Sequence, residues 1–185
     1  MKRFTTVKEL CQIALLAALI AVCAWISIPA AVPFTLQTFA VFLAVGLCGT
    51  KCGTLSVAVY ILLGAVGLPV FSGFGSGLGT LLGATGGYIV GFLPAAFLSG
   101  LLMHKSKCGL FRMILAMAAG LVVCYALGSV WFAVVYAARG NAMQFSAILA
   151  MCVLPYIPVD AVKIALAALL SARLKKLTKF SRPEV

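Results

Sequence analysis

From Leu10 to Ile28 the chain runs for 19 residues without an acidic or basic side chain. A stretch of that kind is close to the roughly 20 apolar residues that one helix needs to cross a bilayer. Similar stretches are read at 39–50, 54–68, 85–103, 110–138 and 158–176, separated by proline, glycine or clustered cations. In 185 residues, 64% are hydrophobic and 9% charged, so a water-soluble globule and a disordered chain are both excluded. The pattern predicts one all-α integral membrane domain over 1–185, a bundle of six transmembrane helices. Its outer loops fall at 29–38, 69–84 and 139–157. The first run is longer than a usual signal core and is read as a retained helix.

Charge gives the orientation. Fourteen Lys or Arg stand against three Asp or Glu, a balance that in a soluble protein would suggest nucleic acid. Here Lys2, Arg3 and Lys8 precede the first run, and Lys51 separates the second from the third. Lys105, Lys107 and Arg112 separate the fourth from the fifth, and Arg173, Lys175, Lys176, Lys179 and Arg182 close the last. Cations at both ends and at every second loop predict that both termini face the cytoplasm, with membrane lipid rather than nucleic acid around the chain.

Two ionisable residues, Asp160 and Lys163, fall inside a predicted span. Ionised side chains in hydrocarbon cost several kcal/mol, so they usually face a polar cavity and usually mark function. A spacing of three puts both on one helix face, about 5–6 Å apart at Cβ. Pro158 suits a first helical turn, and Asp160 in that turn is favoured by the helix dipole. The pair is either a structural ion pair or a neutral donor–acceptor site for a solute entering from outside. Gln37, beside Phe34, Thr35 and Thr38, is a second polar candidate in the first outer loop. The glycine-rich segment 67–87 is too apolar for a solvated linker and is expected to cap a pocket. It carries no GxxxxGK[ST] phosphate loop, so no ATP site is expected. His104 lies at the cytoplasmic edge. With one His, three acids and Cys48–Cys52 as the one close cysteine pair, neither a catalytic triad nor a metal cluster can be assembled; the chain is read as not an enzyme, without cofactor or metal. On the first helix, Ala14-xxx-Ala18 and Ala17-xxx-Ala21 are small-residue stripes that let another helix approach closely.

Four ordered segments carry a family resemblance: VPFTLQTF (32–39), YILLGAVGLPVF (60–71), TGGYIVGF (85–92) and LPYIPVDAVK (154–163). Together they closely resemble BioY, the biotin-specific substrate-binding (S) component of prokaryotic energy-coupling factor (ECF) transporters. The resemblance implies biotin uptake at the cell membrane through a six-helix S component whose outward pocket is roofed by the first and third loops. It implies that Asp160 and Lys163 bind the ligand, Asp160 accepting from the ureido N–H groups and Lys163 donating to a biotin oxygen. Phe34, Phe71 and Tyr88 are expected to pack on the rings, Gln37 to line the site, and Gly86 and Gly87 to admit close approach. Ala14 and Ala18 are expected to dock a transmembrane coupling (T) protein that sits with two cytoplasmic ATPases. The alternatives are an S component for another vitamin, or a small membrane protein whose Asp–Lys pair is structural.

Overall fold

A computed structural model describes residues 6–30, 32–103, 109–141 and 143–177. Lys2, Arg3, His104, Lys105, Lys107, Lys179 and Arg182 lie outside the described residues, as does the side chain of Lys176. The first helix, α1, spans Val7–Trp25 rather than 10–28. It starts early because Thr6 caps it: the Thr6 N–H donates to Glu9 Oε2 at 2.8 Å, the arrangement that satisfies an otherwise orphaned donor at a helix start. It ends early because Ser27–Ile28 leaves the helix as a short strand, β1, which pairs antiparallel with β2, Phe34–Thr35. Ser27 opposes Thr35 and Ile28 opposes Phe34. The segment expected as the first outer loop is therefore a two-stranded hairpin, which corrects the all-helical expectation.

The spans expected at 39–50 and 54–68 join as one helical element, α2, Gln37–Ala65, broken at Gly49. Gly49 has φ 75° and ψ −172°, a region essentially reserved for glycine. The chain doubles back there. A Cβ on Gly53 would lie 2.6 Å from Val45 Cα, and Gln37 Nε2 is 3.0 Å from Tyr60 Oη. A straight helix at 1.5 Å per residue would hold those pairs about 12 and 35 Å apart. The two halves of α2 thus lie side by side, with the turn next to Lys51.

Beyond α2 come a 3₁₀ turn, Ser72–Phe74, then α3, Gly77–Leu81, and α4, Gly86–Met103. The chain continues through α5, Leu110–Ala138, α6, Phe145–Cys152, and α7, Ile157–Leu177. Seven helices stand among the described residues where six spanning helices were expected: α3 and α6 form inside two of the segments expected as outer loops, while the two central spans merge as α2. Four of them, α1, α2, α4 and α5, are long and apolar enough to cross a membrane, and the pair α6 and α7, bent by 50°, makes a fifth when counted as one span.

Helix α2 is the centre of the packing, touching α1, α4 and α7, while α4 and α7 also contact α5. Ile20, Ala24, Val41, Ala44, Val57 and Ala95 are fully buried along these seams. The two alanine stripes of α1 face different ways: Ala17 and Ala21 are buried against the bundle, whereas Ala14 and Ala18 are exposed. The reversal at Gly49 yields a test. Gly49→Ala forces a Cβ into a conformation that costs about 1–3 kcal/mol, and the expected result is a lower thermal unfolding temperature in detergent. Gly79→Ala, where a Cβ meets nothing within 4 Å, should leave that temperature unchanged or slightly raised.

Candidate functional site

Proline cannot donate to the helical ladder and is well suited to a first turn, so Pro158 fits the start of α7, which sets Asp160 in that turn. One turn on, Lys163 Nζ donates to Asp160 Oδ1 at 2.8 Å. The other carboxylate oxygen, Oδ2, accepts from Tyr125 Oη of α5 at 2.6 Å. Asp160 and Lys163 are 4% and 7% exposed, so both charges have left bulk solvent. Burial of this kind is tolerated only when charges are paired and their remaining hydrogen-bonding capacity is used. Among the described residues Asp160 is the hydrogen-bonding partner of the Lys163 ammonium, whose other two donors are not taken up by protein.

The pair is not sealed in. Asp160, Lys163 and Tyr125 form part of the wall of a cavity enclosed by the loop between β1 and α2, the glycine-rich segment and helices α4, α5 and α7. It contains about 750 Å³ free of protein atoms, counting its open mouth. Apolar side chains supply most of the surface, among them Phe71, Ile89, Phe92 and Leu121, and polar groups are few and placed.

The residues expected from sequence divide into two groups. Gln37, Phe71, Tyr88, Asp160 and Lys163 all line the cavity. Gln37 is 4% exposed, its amide held by the Nε2 bond to Tyr60 Oη. Phe71 meets Tyr60 edge to face, with centroids 5.6 Å apart, and its ring occupies the space that a side chain on Gly64 would need. Tyr88 reaches Ser129 Oγ at 3.3 Å, and the absence of a side chain on Gly128 lets the ring lie against α5. Phe34 is set one layer back. It stacks on Tyr156 with centroids 4.0 Å apart, and Tyr156, which does line the cavity, donates its hydroxyl proton to the Val32 carbonyl.

Gly86 and Gly87 depart from expectation. A Cβ on Gly86 would strike the Leu81 carbonyl, and one on Gly87 the Trp131 side chain, so their missing side chains admit neighbouring protein and neither lines the cavity. Trp131 Nε1 in turn donates to the Gly83 carbonyl at 2.9 Å, while Trp25 Nε1 donates to the Pro69 carbonyl at 2.9 Å. These two indoles tie the glycine-rich segment to α5 and α1, which makes it a fixed roof.

Tyr125, Tyr60 and Tyr156 were missed in the sequence. A signal existed for the first: a tyrosine in an otherwise apolar helix needs a partner for its hydroxyl, and Asp160 is the one acid within the spans. Nothing in the residue pattern pairs Tyr60 with Gln37 or Tyr156 with Val32, because those bonds depend on the Gly49 reversal and the hairpin.

The profile of the BioY family matches residues 1–180. A biotin transporter BioY of Thermotoga maritima is 44% identical over 172 residues, spanning 92% of this chain and 97% of that protein. A probable biotin transporter BioY of Pyrococcus horikoshii is 40% identical over 169 residues, spanning 91% and 96%. The fold superposes with a TM-score of 0.85 on the crystal structure of the S-component for biotin from an ECF-type ABC transporter, at 28% identity over 97% of each chain.

The buried pair predicts a definite pattern of stabilities. Asp160→Ala strands an ammonium in an apolar wall and should cost about 3 kcal/mol or more of stability. Adding Lys163→Met removes the stranded charge, so the double variant should unfold at a higher temperature than Asp160→Ala alone. Strictly additive losses would show that the two side chains are uncoupled.

Proposed function

The chain belongs to the BioY family, and from that premise we propose that it binds biotin from the outer side of a prokaryotic cell membrane as the substrate-specific subunit of an ECF-type transporter. The observation that carries this reading is the Asp160–Lys163–Tyr125 cluster set into a cavity wall. A neutral cluster of acceptor and donors suits the ureido ring of biotin, which offers two N–H donors and one carbonyl acceptor. An ionised carboxylate has about four acceptor sites and an ammonium three donors. Two of the former and one of the latter are used within the protein, which leaves capacity of both kinds for a guest. The apolar thiophane and valeryl portions suit Phe71, Phe92 and Tyr88. A site built to pair buried hydrogen bonds also rejects analogues strongly, because an unmatched ligand leaves those groups unsatisfied.

We read the membrane architecture as six crossings, α1, the two halves of α2, α4, α5 and α7, with both termini cytoplasmic. The fold-back at Gly49 beside Lys51 supports this, since it returns the chain at one of the cation-bearing loops. Biotin uptake then needs partners, because the chain has no phosphate-binding loop of its own. The exposed Ala14 and Ala18 offer the flat face on which a transmembrane coupling protein would dock, with two cytoplasmic ATPases beneath it.

Two variants separate these roles. Asp160→Asn keeps the shape but replaces an acceptor oxygen by a donor. It should weaken biotin binding by about tenfold to a hundredfold, the worth of a hydrogen bond to a charged group, and lose uptake with it. Ala14→Leu combined with Ala18→Leu should bind biotin as the wild type does while uptake by the assembled transporter is lost. Wild-type affinity in Asp160→Asn contradicts the assigned ligand role, and full uptake in the double leucine variant contradicts the docking face.

A further inference from the structure

A loop that borders a solute cavity normally turns its polar residues outward to water. The segment that roofs this cavity does the reverse. Ser72 and Thr80 lie in the cavity wall, whereas Phe74, Leu78 and Leu82 stay out of it and are 64%, 62% and 64% exposed. Leu78 and Leu82 are four residues apart, the Leu82 N–H on the Leu78 carbonyl at 2.8 Å, so both project from one side of α3. No residue of the 3₁₀ turn or of α3 is buried, so neither element is held by a core of its own. From Cys52 to Met103 the chain has no Lys, Arg, Asp or Glu, and nothing charged accompanies the segment out of the bundle.

Phe74 supplies a second observation, independent of that pattern. Its φ of 58° makes it the one non-glycine residue at positive φ among the described residues. A bulky side chain rarely adopts that conformation, because its Cβ crowds the backbone there. The strain does not serve to bury the ring. Instead the ring lies beside Trp25, with centroids 5.3 Å apart, and stays mostly uncovered. Trp25 and Trp131, the two tryptophans of the chain, are likewise partly exposed while their N–H groups are held by roof carbonyls. An indole with its polar edge satisfied and its ring turned outward suits the boundary between membrane and water.

The surroundings of this face indicate what covers it. The 3₁₀ turn touches α1, and α3 touches α2 and α4. At the near ends of those helices Ile26, Leu62, Val66 and Val90 are exposed as well. The apolar exterior of the spans thus continues onto the roof without the polar rim that surrounds a protein-docking patch. We propose that Phe74, Leu78 and Leu82 are seated in the lipid leaflet around the roof, at the boundary between headgroups and acyl chains. The segment then parts the solute cavity on one side from phospholipid on the other, which is why it carries hydroxyls inward and no charge outward. This goes beyond the biotin reading and does not rest on it, since it holds for whatever solute the cavity takes.

The test places new indoles on this face in the full chain, reconstituted in phosphatidylcholine nanodiscs. Phe74→Trp and Leu78→Trp are made separately with both native tryptophans kept, and the emission that each adds to the wild type is followed. Asn141→Trp, beside Arg139 in the exposed turn after α5, is the water-side control. Phosphatidylcholine brominated on its acyl chains near the headgroup should remove most of the emission added at 74 and 78, and aqueous iodide should remove little of it. For Asn141→Trp the order should be reversed. Iodide quenching at 74 and 78 without bromolipid quenching puts the face in water and overturns the proposal. Shielding from both quenchers puts protein, a second copy of the chain, on the face and overturns it equally. The two positions are read independently, so a folding defect in one variant leaves the other to decide.

Discussion

The structure turns on a carboxylate that has been taken out of water. Asp160 is tolerable in an apolar wall because Lys163, one turn away, cancels its charge and Tyr125, from α5, holds its second oxygen. That requirement reaches beyond the site itself. It fixes where α7 must begin, which face it turns inward, and how α5 lies against it. The same three groups keep hydrogen-bonding capacity in reserve beside an open cavity, so the interaction that stabilises the unliganded wall is also the one that can recognise a guest. In the proposed reading, structural pairing and ligand binding are two uses of one arrangement.

The rest of the bundle serves to leave that space unfilled without collapsing it. In lipid there is little hydrophobic drive between helices, so close packing must come from shape, and small residues provide it. Gly53 admits Val45 at the fold-back, Gly64 admits the Phe71 ring, and Gly128 admits Tyr88. The last two contacts pin aromatic rings in the cavity wall. Above it, two tryptophan N–H groups anchor the loop that closes the top, one from α1 and one from α5. The roof is thus supported by two different helices.

Much of this was legible in the residues. The bounds of α5 agree with its apolar run, since nothing competes with the helix between Leu110 and Ala138. Asp160 and Lys163 stood out because membrane segments rarely carry charge, and Lys51 marked the break between the stretches 39–50 and 54–68. What stayed hidden depends on contacts remote in sequence. A β-hairpin of two residues per strand has no periodicity to detect, whereas the apolar stretch 143–154, too short to span, already reads as a non-spanning helix and forms α6. Gly86 and Gly87 were expected beside the ligand, but a glycine looks the same in sequence whether it makes room for a solute or for Leu81 and Trp131. The loop residue Gln37 was recognised as polar, while its partner Tyr60 became visible only once Gly49 had brought the two halves of α2 together.

The central claim is that the buried cluster addresses the intact ureido ring of biotin. The most direct test is calorimetric titration of the detergent-solubilised chain with biotin and with its ring-opened diamine analogue, which keeps the carboxylate tail but replaces the ring carbonyl and both amide-type N–H groups by amines. The account predicts tight saturable binding of biotin and a loss of at least about a hundredfold for the analogue, the penalty expected when a site's buried polar groups are left unmatched. Equal affinity for the two would contradict it, because the pair would then be touching only itself.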